Sequence, residues 1–229
     1  MYFFLFLAHF NHINANSFTF AQSLNKFNPT RILTIQPDNK FSTIFTTSIV
    51  LSCWAYQNDN MLKRSIQKPS GANYELAENI FEKFGNGNYV FPALLTLNIT
   101  GRVFDSSKAK DLSELAIKSS MLSCSIALLS KCTIGRARPY ANLGSKANND
   151  YNFDSKFHSF PSGHTTLAFT IAAAFSEIYC DKKWVQVLAY LTATGVGLSR
   201  VYTNKHWVSD ICAGASLGIL SVKLVKYNF

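Results

Sequence analysis

Three apolar segments, 164–180, 184–199 and 206–225, fill the last third of this 229-residue chain. The first two are separated only by the tight turn Asp181-Lys182-Lys183. Alternating strand patterns are almost absent, so these segments read as helices packed against one another. Upstream, residues 73–84 place Leu76, Ile80, Phe81 and Phe84 on one helical face, with Gly85 as the expected C-cap. Another helix is expected over 107–131, opening at the Asp- and Ser-rich stretch "DSSKAKD". The stretch 41–56 is apolar and β-branched and leaves helix and short strand both open. Residues 26–40 contain two prolines and read as irregular or extended, and 140–160 reads as a polar and aromatic loop. The expected architecture is an all-α bundle of about six helices.

Bulk properties narrow the class. Apolar residues make up 48% and charged residues 15%, yet the mean hydropathy is only +0.05. Serine, threonine and glycine interrupt every eighteen-residue window, which weakens a simple transmembrane reading. The net charge of +9 favours anionic partners. Nucleic acid is set aside, because there is no zinc-finger spacing, no aromatic RNA-binding signature and no long basic run. The five cysteines form no CxxC pair and read as buried small apolar residues. The opening "MYFFLFLAHF", followed by Thr19-Phe20-Ala21, looks like a secretory leader without its usual Lys or Arg. Residues 1–22 therefore read as a signal or membrane-anchoring segment, and 23–229 as a single domain.

Three polar motifs interrupt the apolar pattern. In "KCTIGRARP", Lys131 and Arg138 are seven apart, so a helix carried through to Pro139 would aim both cations the same way. In "PSGH", 161–164, Ser162 and Gly163 fall where a following helix exposes free N–H groups, a natural anion site, with His164 beside it. In "SRVYTNKHWVSD", Arg200 closes one apolar segment, and His206 and Asp210 stand at i and i+4. A carboxylate on the imidazole Nδ1–H would fix the tautomer and leave Nε2 free. In an up-down bundle, the ends carrying the three motifs fall on one face.

The order K-x6-RP, PSGH, SR-x5-H-x3-D resembles the type 2 phosphatidic acid phosphatase (PAP2) and vanadium haloperoxidase superfamily. Lys131, Arg138, Pro139, Pro161 to His164, Ser199, Arg200, His206 and Asp210 all match. The motif core is 131–210, and the first hundred residues carry no family motif. The resemblance implies a PAP2-like bundle with its active site at one end. It implies a phosphatase in which Lys131, Arg138, Ser162, Gly163 and Arg200 hold phosphate. His206, oriented by Asp210, would attack phosphorus, and His164 would protonate the leaving alcohol. No metal or other cofactor is implied, and vanadate is the expected inhibitor. Expected substrates are phosphate monoesters or diphosphates, above all lipid phosphates at a membrane surface. A soluble exported acid phosphatase and a vanadium-dependent haloperoxidase are the alternatives. His158 lies in the loop beside the site, Lys205 is expected at the rim, and Arg136 is expected to point away from the phosphate. His9, His12 and His158 read as incidental. Seven basic residues (Arg102, Lys108, Lys110, Lys182, Lys183, Lys223 and Lys226) are expected on the face opposite the site. If the bundle is embedded, that face is cytoplasmic and the site faces the periplasm or exterior.

Overall fold

A computed structural model describes residues 39–66, 72–151 and 153–228. The expected leader at 1–22 and its boundary, and His9 and His12, lie outside them. Seven α-helices span the described residues: α1 (Asn39–Ile66), α2 (Ala72–Gly85), α3 (Gly87–Val103), α4 (Ser107–Ile134), α5 (Gly163–Ile178), α6 (Lys183–Tyr202) and α7 (Val208–Asn228). The all-α bundle expected from the sequence is the fold observed. The open choice at 41–56 resolves as helix, inside the 28-residue α1.

Small residues make the packing close. The buried side of α4 is a stripe of Leu112, Ser113, Ala116, Ser119, Ser120, Ser123 and Ala127 at helical spacing. It meets α5, where Ser123 Oγ and Thr170 Oγ1 share a buried hydrogen bond of 3.0 Å. Alanines of α5 continue the core: Ala173 and Ala174 pack with Leu94, Leu112, Ala116 and Val222, and Ala168 and Ala172 pack with Ala193 and Val196. On α7, Gly214 and Gly218 lie against the α5 backbone, where an added Cβ would stand 2.8 Å from Ser162 O and 2.6 Å from Thr166 O. This small-xxx-small contact sets the start of α7 directly beside the start of α5.

Caps set the helix ends. Ser106 precedes α4, as the sequence indicated, but α4 runs on to Ile134 and stops at Gly135, which adopts φ 55°. Asn86 caps α3 by accepting the Asn88 N–H at 3.0 Å. Gly85 is therefore no left-handed C-cap. It is the last residue of α2, required by close approach, since a Cβ there would lie 2.7 Å from Val196 and 2.8 Å from His164 O.

The outer surface is unusually apolar. On α6, Trp184, Val187, Leu188 and Leu191 are all more than half exposed, and Leu128 and Leu129 of α4 likewise. Helix α4 and Val208–Tyr227 of α7 are long and apolar enough to cross a membrane. Interruption by serine and glycine, read from sequence as weakening a membrane span, instead marks the faces on which these helices touch their neighbours. The cysteines depart from expectation: Cys53 and Cys180 are exposed, and Cys124, Cys132 and Cys212 are half-buried. All but Cys180, which lies in the turn after α5, sit on helix surfaces.

Candidate active site

The three motifs converge, but not through one continuous helix in the first. Helix α4 ends at Ile134, so Arg138 lies on extended chain, with φ −73° and ψ 153°. A Cβ at Gly135 would stand 1.8 Å from Asn149 O, so only glycine permits the turn. Lys131 in the last turn of α4 donates to His158 O at 2.8 Å and passes within 3.8 Å of the Gly163 Cβ position. Arg138 donates to Ser155 O at 3.0 Å, from the 140–160 loop. That loop folds back on short 3-10 turns at Pro139–Ala141 and Ser155–Phe157. Phe157 is buried beneath it, whereas Tyr151 and Phe153 point outward.

Helix α5 opens at the PSGH motif. Ser162 is its N-cap; its Oγ accepts from the Thr165 N–H and from Thr165 Oγ1 at 2.9 Å. The Ser162 N–H donates to Asp210 O at 3.1 Å, which ties α5 to α7. Gly163 and His164 form the first turn, where amide groups are without helical acceptors.

The third motif differs from a simple i, i+4 helix pair. Helix α7 begins at Val208, so His206 sits in the preceding turn, and it is buried rather than at an exposed helix start. Its Nδ1 lies 2.7 Å from the Ser159 carbonyl and 3.6 Å from Asp210 Oδ2. A carbonyl only accepts, so Nδ1 carries the proton and Nε2 keeps its lone pair. Asp210 is saturated elsewhere. It accepts from the Trp207 N–H at 2.8 Å, reaching back across the first turn as in a capping box, and from Ser159 Oγ at 2.5 Å. Asp210 thus holds Ser159, and Ser159 holds His206. Burial pushes the His206 imidazole down to about 3, against the pull of Asp210, so the ring is neutral.

Arg136 enters a buried network that sequence reading missed. Its guanidinium donates to Asp210 Oδ1 at 2.6 Å, Asp59 Oδ2 at 2.7 Å, Ser209 Oγ at 2.7 Å and Ser145 O at 2.7 Å. Asp59 of α1 in turn accepts from the Ser209 N–H and Oγ at 3.0 and 2.6 Å. Both Asp59 and Asp210 are fully buried. Asp59 is the sole acidic residue of α1, and that was the available signal.

Opposite this network, three buried polar atoms make no hydrogen bond: His164 Nε2 and Arg200 Nε and Nη2. Arg200 is 2% exposed, so an ionised group is held dry with donors unspent. Burial beside the Arg200 charge pushes His164 down to about 4. Two carboxylates of α2, Glu78 and Glu82, face this space and were also missed; Lys205 at the rim stands 3.5 Å from Glu78. Among the described residues, no three His, Cys, Asp or Glu cluster as metal ligands. What the site offers is a set of converging cations, free amides and two imidazoles.

Over 91 residues the chain is 40% identical to a lipid A 1-phosphatase of Porphyromonas gingivalis, covering 39% of this chain and 18% of that one. The chain spans less than half the length of the curated relatives it matches. The crystal structure of Aquifex aeolicus LpxE fits with a TM-score of 0.58 at 28% identity, over 72% of this chain and 93% of that one. That of a transmembrane PAP2-type phosphatidylglycerolphosphate phosphatase from Bacillus subtilis shares the fold, with a TM-score of 0.62 at 24% identity, over 81% and 93%. Residues 115–229, from the middle of α4 through α7, match the family model of the PAP2 superfamily, and the chain belongs to that superfamily.

Proposed function

We propose that this protein is a metal-independent phosphatase acting on lipid phosphate monoesters or diphosphates through a phosphohistidine on His206. The observation that carries this reading is the unspent polar set around Arg200 and His164, facing a neutral imidazole whose tautomer Ser159 fixes. Lys131, Arg138 and Arg200 supply positive charge, and the Gly163 amides and the Ser162 hydroxyl proton add neutral donors. Phosphoryl transfer asks for positioning and charge stabilisation, which these groups provide.

In the first step, His206 Nε2 attacks phosphorus and the bond to the leaving oxygen breaks, while His164 gives that oxygen its proton. In the second, water loses a proton to His164 and attacks phosphorus, the P–N bond breaks, and His206 returns with its lone pair. The dianion raises the His164 pKa when it binds, so the acid is charged in the complex that needs it.

The apolar exterior of α4 and α6 and the two span-length helices support a bundle set in a membrane. The basic residues gather at the far end: Lys108 and Lys182 both lie over the Tyr179 ring at the end of α5, and Lys223 and Lys226 pair with Glu177. By the positive-inside rule that end is cytoplasmic and the site faces outward. With the five native cysteines replaced by alanine, Tyr151→Cys on the site-side loop then reacts with an impermeant maleimide in intact cells; protection there with labelling only after lysis contradicts the orientation.

The activity test is phosphate release from lysophosphatidate in detergent micelles. Turnover unchanged by EDTA and blocked by orthovanadate is expected. Loss in EDTA restored by a divalent ion, or oxidation of halide with vanadate and peroxide in place of phosphate release, overturns the reading.

A further inference from the structure

An anion pocket gains nothing from carboxylates, yet α2 brings two to its edge. Glu78 Oε1 stands 3.6 Å from Arg200 Nη2 and 3.5 Å from Lys205 Nζ. Glu82 Oε1 stands 3.7 Å from Arg200 Nη1 and 3.9 Å from His164 Nε2. These separations are at or beyond hydrogen-bond reach, so neither carboxylate is clamped on its neighbour. Beside them the buried Arg200 Nε and Nη2 and the His164 Nε2 are left without a hydrogen bond. A pair serving only to neutralise Arg200 would close onto it.

We infer that Glu78 and Glu82 select the leaving group, favouring an alcohol that carries a hydrogen-bond donor next to the ester oxygen and disfavouring a diphosphate. This rests on the phosphatase reading, in which His164 Nε2 delivers its proton to the leaving oxygen. Glu82 is the carboxylate beside that nitrogen, so the atoms attached to the leaving oxygen pass directly by it. A hydroxyl or ammonium on the adjacent carbon finds an acceptor there. The leaving group of a diphosphate is itself a phosphate, and its negative charge is set against two carboxylates in a poorly hydrated site. Glu78, nearer Lys205 and the rim, extends the same preference outward. Such a site discriminates through half-buried carboxylates whose hydrogen bond the wrong substrate leaves unmade.

Four probes in detergent micelles, with the full chain, test this: lysophosphatidate, whose free 2-hydroxyl neighbours the ester, its 2-deoxy counterpart, farnesyl monophosphate and farnesyl diphosphate. The unaltered protein is expected to favour lysophosphatidate over the deoxy compound by about tenfold in kcat/KM, and the monophosphate over the diphosphate by a similar factor. Glu82→Gln keeps an acceptor oxygen and removes the charge. It should raise the diphosphate relative to the monophosphate about tenfold while retaining part of the hydroxyl preference. Glu82→Ala should bring the hydroxyl preference to within about twofold. Equal rates on both matched pairs in the unaltered protein overturn the inference whether or not a variant folds. So does a uniform loss on all four substrates in the variants, the mark of a plain ion pair with Arg200. No phosphate release from any probe overturns the phosphatase reading on which the inference stands.

Discussion

The Asp210 carboxylate and the His206 imidazole do not share a hydrogen bond: Oδ2 is 3.6 Å from Nδ1, and the Ser159 carbonyl takes that N–H at 2.7 Å. Asp210 instead grips Ser159 Oγ and the Trp207 N–H, on either side of the histidine. The carboxylate orients the imidazole by holding the backbone around it and contributes its charge from one step further away. Asp210 is in turn fixed by Arg136, and Arg136 by Asp59 of α1. A residue outside every motif therefore bears on the placement of the proposed nucleophile.

Asp59→Ala is accordingly expected to lower kcat by about tenfold or more although position 59 touches no substrate. Breaking a buried ion pair costs about 3–5 kcal/mol, so the melting midpoint falls as well. Asp59→Asn keeps the hydrogen bonds to Ser209 and should lose less of both. Thermal melts and initial rates on the two variants check this. Unchanged kcat in Asp59→Ala would separate α1 from the site.

Two glycines at the site should respond in opposite ways. A Cβ at Gly163 meets only Lys131 Cε at 3.8 Å, an ordinary contact, but it stands at the helix mouth where the phosphate must approach the amides. Gly163→Ala should fold with an unchanged melting midpoint and raise KM about tenfold or more. Gly135→Ala meets Asn149 O at 1.8 Å with φ at +55°, so it should lose stability by more than about 1 kcal/mol. A KM unaffected by Gly163→Ala would move the phosphate away from the α5 N-terminus.

The pH profile follows from two depressed imidazoles. His206 acts neutral, so lowering its pKa to about 3 moves the acid limb down; His164 acts protonated, so lowering its pKa to about 4 moves the alkaline limb down. Burial is the main cause of both shifts. The kcat/KM profile of the free enzyme is therefore expected to peak on the acid side and fall through neutrality. Bound dianion raises His164, so the alkaline limb of kcat lies at higher pH than that of kcat/KM. A kcat/KM that climbs between about pH 6 and 8 contradicts this assignment.

Much of this arrangement is legible in the sequence for a physical reason: the proposed phosphate cradle is built from helix ends, and helix ends leave local marks. The small-residue turn of 161–164, Arg200 at the close of α6 and Asp210 in the first turn of α7 all declare themselves within a few residues. Three things escaped because they depend on backbone turns or on distance. Gly135 ends α4 four residues past Lys131, which removes the helical phase argument for Arg138 yet leaves both cations at the site. Ser159 displaces Asp210 from His206 through a loop contact that no periodicity encodes. Asp59, Glu78 and Glu82 reach the site from helices with no motif, and only the packing of α1 and α2 brings them there.

Trapping the phosphoryl-enzyme is the most direct test of the mechanism. A millisecond quench with labelled lysophosphatidate should leave one phosphoryl group on the protein, stable in base and lost in acid, as a phosphoramidate bond requires. The label should map to His206 and be absent from His206→Gln, a variant that fills the buried ring's space and should retain the native melt. Acid-stable label, label at another residue, or trapping and turnover that persist in folded His206→Gln would show that a different group attacks the phosphorus.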